Sequence, residues 1–363
     1  MREGWQIRKL GDVCSVRRDS SIHTGMNYVG LEHISSGNGV LVSLADTSGV
    51  IGTTNLFNAG DVLYGKLRPY LKKVIVADCD GCCSTEILPI RCNGDILPDF
   101  LKYWFLEDGI TDRINATCGG CRMPRANMKD VFQFAFSFPS LPEQQRIVDI
   151  LDREFAKIDA LKVNAEKSLQ AAKDLFQTTL KKELEPKEGW KTTTLGQSLK
   201  LTSGDNLTAK NLVSGPFPVY GGNGIMGYHN QYNLDGQNLI VGRVGALCGN
   251  VRLVSGKIWY TDNAFLVHDK QNAFYLPFLS LVLTNANLRQ FATQAAQPVV
   301  SNASMKDARL SFPEAIEEQK RIVPLLNDLN DKCNILQENY QKTLTLSDDL
   351  KQSLLHKAFN GEL

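Results

Sequence analysis

Three groups of residues in this 363-residue chain have types and spacings that could do chemistry. Gly222-Asn223-Gly224-Ile225-Met226-Gly227 satisfies the G-x-G-x-x-G pattern of a dinucleotide-binding loop. That use needs a strand before the glycines and a helix after them, so that a pyrophosphate meets the helix N-terminus. The residues that follow, YHNQYNLDGQN, are polar and turn-like and predict an exposed loop instead. A loop carrying Tyr220, Asn223, Tyr228, His229 and Asn230 suits a nucleic acid. Amide side chains pair with adenine edges, and aromatic rings pack on sugars and thymine methyl groups. The second group is a pair of CxxC spacings, Cys79 with Cys82 and Cys118 with Cys121, which can denote structural zinc. The second half of the chain has only Cys248 and Cys333, so a repeated fold would lack the metal there, and no metal site is expected.

The third group is basic. Lys66, Arg68, Lys72 and Lys73 lie in YGKLRPYLKK, and Arg122 and Arg125 in GGCRMPRANM. Their counterparts downstream are Arg243 and Arg252 around VGRVGALCGNVR, and the uncharged Ser301-Asn302 in VVSNASM. Singly, each could be part of a solvated surface with scattered ion pairs. As clusters they point to DNA, with Lys and Arg holding phosphates while a few Arg and Asn reach base edges. The net charge is only +1, so binding of this kind must come from local patches and not from a global field.

Catalytic patterns are missing. The chain has no GxxxxGK[ST] loop, no HExxH, no metal-like spacing among its five histidines and no Asn/Asp-Pro-Pro-aromatic stretch of amino-methyltransferases. No catalytic residue is expected. Hydrophobic content of 43% and charged content of 22% are ordinary for a water-soluble chain. With no run of 18 apolar residues and no signal-peptide pattern, the expected location is the cytoplasm, where the nine cysteines would be reduced thiols.

The elements that must position these groups come as an internal repeat. Glu143-Gln144-Gln145-Arg146-Ile147-Val148 reappears as Glu318-Gln319-Lys320-Arg321-Ile322-Val323. Each hexamer opens a long helical pattern. Leu151, Phe155, Ile158, Leu169 and Phe176 line a seam in the first, broken only by Lys162, and Ile322, Leu326, Leu329, Leu336 and Tyr340 line one in the second. That period near 3.5 predicts an antiparallel coiled-coil pair, each helix about 63 Å long at ~1.5 Å per residue. Pro324 predicts a bend in the second helix, or its true start. The repeat extends upstream. Gly4-Trp5 and Leu10-Gly11 return as Gly189-Trp190 and Leu195-Gly196, Gly60–Lys66 as Gly236–Arg243, and Met128-Lys129-Asp130 as Met305-Lys306-Asp307. Between these markers the sequences diverge, as expected of two modules of one fold with different targets.

Together the layout and motifs resemble the specificity (S) subunit of type I restriction–modification systems over the whole chain. The residues carrying the resemblance are Leu141-Pro142-Glu143-Gln144-Gln145-Arg146-Ile147-Val148 and Ile316–Val323, similar to the family's "PLxEQxxIV" helix start. The closing Lys357-Ala358-Phe359-Asn360-Gly361-Glu362-Leu363 and Phe217–Gly224 are also similar. The resemblance implies an α+β chain: target-recognition domains at 1–140 and 187–312, alternating with conserved helical regions at 141–186 and 313–363. It implies a non-catalytic reader of double-stranded DNA that binds a split site, one domain per half, with the helices setting the gap. Its implied partners are two modification subunits that use S-adenosylmethionine to methylate adenine N6. Restriction subunits that use ATP and Mg would join them, and this chain itself would hold no cofactor. Rival readings are a specificity subunit of another DNA-methylation or defence system, a coiled-coil scaffold whose globules bind protein, and a stand-alone enzyme.

Overall fold

The computed structural model describes residues 4–120, 122–294 and 296–363. Cys121, half of one CxxC pair, lies outside the described residues. The chain divides into two compact units, Met1–Glu166 with Lys342–Leu363, and Lys167–Gln341. Each unit therefore combines one globular module with the start of one long helix and the end of the other.

Both modules are built on the same four-stranded antiparallel sheet. In the first the spatial order is Cys14–Val16, Ile87–Cys92, Val62–Gly65, Val74–Val76. In the second it is Leu199–Ser203, Ala264–Asp269, Asn238–Gly242, Val251–Val254. A helix opening on a Pro in its first turn covers each sheet, Pro98–Leu106 or Leu276–Asn285, and buries Phe100, Trp104 and Phe105 or Phe278, Leu279 and Leu283. The module's first strand pairs antiparallel with the strand that feeds the long helix: Gln6–Lys9 with Ala135–Phe138, and Trp190–Thr194 with Arg309–Pro313. Beside this shared frame the accessory sheets differ, with five strands in the first module and three in the second.

The repeated Leu-Gly marks a close approach. The Gly11 N–H donates to Phe132 O (2.9 Å) and the Gly196 N–H to Lys306 O (2.8 Å). A Cβ on either glycine would stand 3.1–3.2 Å from that carbonyl. These bonds correct one expected equivalence. Phe132 occupies the place of Lys306, so Met128 stands opposite Asn302 and not Met305. The recurrence of Met-Lys-Asp is incidental to the register, which main-chain bonds decide.

The long helices run Leu141–Glu183 and Ile316–Phe359. Acidic residues in their first turns and basic residues in their last turns complement the helix dipole. In the first unit the Lys351 ammonium meets Asp159 (2.5 Å), and Lys162 meets Asp348 (2.7 Å). Numbers fall along one helix as they rise along the other, so the two pair antiparallel. Lys162, which interrupts the apolar pattern, thus stands at the seam with a carboxylate to meet it. Lys351 is 4% exposed and also lies over the Phe155 ring at 4.9 Å. In the second unit Leu180 and Leu184 share a core with Ile322, Val323 and Leu326.

Leu151, Phe155, Ile158, Ile322 and Leu326 are buried, and Leu169, Phe176, Leu329 and Tyr340 half-buried. Leu336, expected at the seam, is instead 40% exposed. Two consecutive four-residue steps, Leu329 to Cys333 to Gln337, carry the seam past Leu336 and on through Tyr340, Leu344, Ser347 and Lys351, since a 3.6-residue helix must insert such a step into a 3.5 pattern. Nor does the second helix begin at Pro324, which lies inside it. Ile322 and Val323 are buried just before that proline, while Pro324 and Lys320 face solvent, where water can satisfy the Lys320 carbonyl.

Each helix is fastened to its module by one buried amide. Gln144 is 0% exposed: its Nε2 donates to Asp95 O and Pro139 O (both 2.9 Å), and its Oε1 accepts from the Leu97 N–H (2.9 Å). Gln319, also 0% exposed, repeats this with Ala273 O and Pro313 O (both 2.9 Å) and the Tyr275 N–H (2.7 Å). Replacing either by Leu orphans three main-chain groups, at about 1–3 kcal/mol for each one left buried. Gln144→Leu and Gln319→Leu should each lower stability by about 3 kcal/mol or more in urea titrations, and a negligible shift in either would contradict the clamp.

Candidate nucleic-acid interface

In the first module the strand Val62–Gly65 delivers Lys66 to a surface loop. The Ala126 N–H donates to Lys66 O (2.9 Å), and the Arg68 N–H to Pro124 O (2.8 Å). Leu67 bridges Arg125 antiparallel, as does Gly119. The segments 66–73 and 122–125, far apart in sequence, therefore form one basic edge. Arg68 and Lys72 flank the single turn Pro69–Leu71 with φ of +53° and +48°, left-handed conformations that cost non-glycine residues energy and favour functional loops.

Their side chains have separate tasks. The Lys72 ammonium is held by Leu106 O (3.0 Å) and the Asp108 carboxylate, and that of Lys73 by Leu31 O (2.6 Å) and Ile34 O (2.8 Å). Arg125 forks onto Glu86 through Nε and Nη2 at 2.9–3.1 Å, which holds its guanidinium above the ordinary range. Among the described residues Lys66, Arg68 and Arg122 have no ion-pair partner, and Arg68 and Arg122 are exposed.

In the second module the glycine-rich stretch is a β-hairpin, Phe217–Gly221 with Gly224–His229, turned at Gly222-Asn223 and bulged between Val219 and Tyr220. No helix follows it, so the dinucleotide pattern has no phosphate-binding N-terminus. Gly222 has no room for a side chain, since a Cβ would be driven into the Val244 carbonyl. Asn223 Oδ1 accepts from the Leu247 N–H (3.1 Å). The hairpin presents Ile225 and Tyr228 to solvent, whereas Tyr220 is half-buried against Ile240 and Val254. His229 is buried: its Nδ1 accepts from the Val213 N–H (3.1 Å) and its ring meets Trp259 edge-on at 5.4 Å. Ser301 caps the turn Asn302–Met305 by accepting from the Ser304 N–H (3.0 Å), and Asn302 Nδ2 donates to Leu201 O (3.2 Å). His229, Ser301 and Asn302 thus have structural partners.

Arg243 takes the place that Lys66 holds in the first module, its carbonyl accepting from the Val300 N–H (2.9 Å). Its Nη1 donates to Asp262 O (3.2 Å) and its guanidinium lies over Phe265. Among the described residues two buried side-chain nitrogens find no acceptor in the chain: Arg243 Nε and Arg252 Nη1. Burial pushes the Arg252 guanidinium below its ordinary range. Desolvated donors of this kind gain most from an anionic or strongly accepting ligand such as phosphate or the O6/N7 edge of guanine.

The model of the type I restriction modification DNA specificity domain matches twice, over residues 2–171 and 187–346. The chain belongs to this family. Within the type I specificity family it is 33% identical to the Escherichia coli type I restriction enzyme EcoprrI specificity subunit, over 40% of this chain and 37% of that one. It is 34% identical to the Escherichia coli EcoDI specificity subunit, over 37% of this chain and 30% of that one. These alignments span about a third of the length of the curated relatives. A chain from a structure described by complex assembly and conformational transition of the type I R-M system shares the fold: TM-score 0.82, 20% identity, covering 100% of this chain and 99% of that one.

In this type I specificity chain, residue types disclosed the basic groups but not which of them are committed internally. The clamps Gln144 and Gln319 fit no catalytic or binding motif, and their recurrence in the twin hexamers is the one sequence signal of a shared role. The hairpin turn makes a steric prediction. Gly222→Ala should lower the melting temperature sharply, with a cost of about 3 kcal/mol or more, whereas Gly119→Ala, which meets nothing within 4 Å, should leave it nearly unchanged. Scanning calorimetry of both variants reads the difference.

Proposed function

We propose that this chain is the DNA-reading, non-catalytic component of a type I restriction–modification complex, each module reading one half of a bipartite double-stranded site. The observation that carries the reading is that the family match occurs twice, once over each module, on a common sheet frame with unlike accessory sheets. A shared frame presents two sensors in the same way, and the differing parts give them different sequences to read. The domain bounds proposed for these parts are 1–140 and 187–312 for recognition, and 141–186 and 313–363 for the helical regions.

In the first module Lys66, Arg68 and Arg122 would contact phosphates, while Lys72, Lys73 and Arg125 shape the loop that carries them. In the second, Tyr228 on the hairpin, with Arg243 and Arg252 beside it, would reach base edges, while Asn223, whose Oδ1 accepts from the Leu247 N–H, would shape the turn. Tyr220, His229, Ser301 and Asn302 would support that surface. The long helices would set the number of unread base pairs between the halves, since a stiff helix converts residues into distance. Two modification subunits would supply S-adenosylmethionine chemistry at adenine N6, and restriction subunits would supply ATP- and Mg-dependent cleavage, in the cytoplasm as host defence. Among the described residues no helix is long and apolar enough to cross a membrane.

Long-read mapping of methyladenine in cells with and without the chain tests the reading: a gapped motif should vanish with the gene. Deleting one heptad from both helices should change the gap, and an unchanged gap would defeat the spacing role. In binding titrations of the assembled complex, Arg68→Ala and Arg122→Ala should weaken all sequences alike and reduce the salt slope by about 0.9 each. Arg252→Ala should instead relax one half-site, by about 1–3 kcal/mol.

A further inference from the structure

Cys14 and Cys92 face each other across the ladder between the edge strand Cys14–Val16 and the strand Ile87–Cys92. Main-chain bonds from Asn93 N–H to Val13 O (2.9 Å) and from Arg17 N–H to Pro89 O (3.0 Å) identify the alternate pairs as the hydrogen-bonded ones. Cys14 and Cys92 are therefore a non-hydrogen-bonded pair, the kind whose side chains approach most closely, with Cα atoms about 4.5 Å apart. Their Sγ atoms are 4.0 Å apart. A disulfide tolerates Cα separations from about 4.4 Å, so side-chain rotation can close this pair without moving the strands.

We propose that Cys14 and Cys92 form a redox-modification site, which a peroxide converts to a cross-strand disulfide locking the edge strand of the first module. Cys92 is half-buried and, with Asp12, Ser15, Arg91 and Asn93, lines a cavity of about 450 Å³ that a small oxidant can enter. Cys14 lines the same cavity but is only 5% exposed. The Cys92 thiolate attacks hydrogen peroxide, giving Cys92 sulfenic acid and hydroxide. The Cys14 sulfur then attacks the sulfenic sulfur, forming the S–S bond and releasing water. In sum, two thiols and one peroxide yield one disulfide and two waters. The hydrogen bond to Cys92, together with burial, holds the Cys14 thiol far above its ordinary range. Cys92 is the more accessible of the two sulfurs, so it meets the peroxide first and Cys14 acts second. In the other module the equivalent ladder positions are Leu199 and Asp269, so the site belongs to the first module alone.

The test uses the full chain treated with hydrogen peroxide at neutral pH, blocked with iodoacetamide, digested without reduction and analysed by mass spectrometry. A peptide joining Cys14 to Cys92 should form and disappear with dithiothreitol, and the oxidised chain should melt several degrees above the reduced one. Cys92→Ser, a near-isosteric change at a half-buried site, should fold and lose both the linked peptide and the melting shift. Cys14→Ser should leave Cys92 as a sulfenic acid that dimedone traps. Oxidation that leaves the two peptides unlinked, or that consumes Cys83 or Cys118 before this pair, would overturn the proposal. None of these readouts depends on DNA recognition.

Discussion

Two buried glutamine amides hold this architecture together. Gln144 and Gln319 each bond the carbonyl that precedes their own helix and the loop that starts the covering helix of their module. A glutamine suits the task because one amide offers two donors and an acceptor, matching two carbonyls and one N–H. The arrangement is fully satisfied and fully buried, so it resists rotation of the helix against the sheet far better than apolar contact alone. Both modules use it, which accounts for the glutamine that the two hexamers share at this position.

The cationic residues fall into two populations with opposite physics. Lys72, Lys73 and Arg125 spend their charge on carbonyls and carboxylates of their own module and so give shape to a loop. Arg68 and Arg122 are exposed, and Arg243 and Arg252 carry desolvated nitrogens with no acceptor in the chain. A near-neutral chain can bind a polyanion only by such local division, because its summed field does not attract one. The strained backbone at Arg68 and Lys72 is tolerated because the internal bonds of Lys72 and the main-chain bond of Arg68 determine the loop.

The seam between the helices is also mixed. Its apolar positions provide non-directional burial, while Lys351 with Asp159 and Lys162 with Asp348 add contacts that one register satisfies and its neighbours do not. Polar seam residues generally cost stability and return register, and a part whose proposed work is spacing depends on register.

Much of the fold was legible in the residues alone, for a physical reason. Long helices announce themselves because a periodic apolar stripe is a local property summed over many turns, and the twin hexamers declare the repeat by residue identity alone. The chain also disclosed its cationic clusters and a glycine stretch unlike a nucleotide loop. What it could not disclose were partners distant in sequence: Asp95 for Gln144, Leu31 for Lys73, Glu86 for Arg125, Val213 for His229. Leu336 missed the seam because small angular drift accumulates along a helix until packing selects Gln337. Local pattern determined which elements form, and tertiary contact decided which polar side chains are committed to the fold and which remain for a ligand.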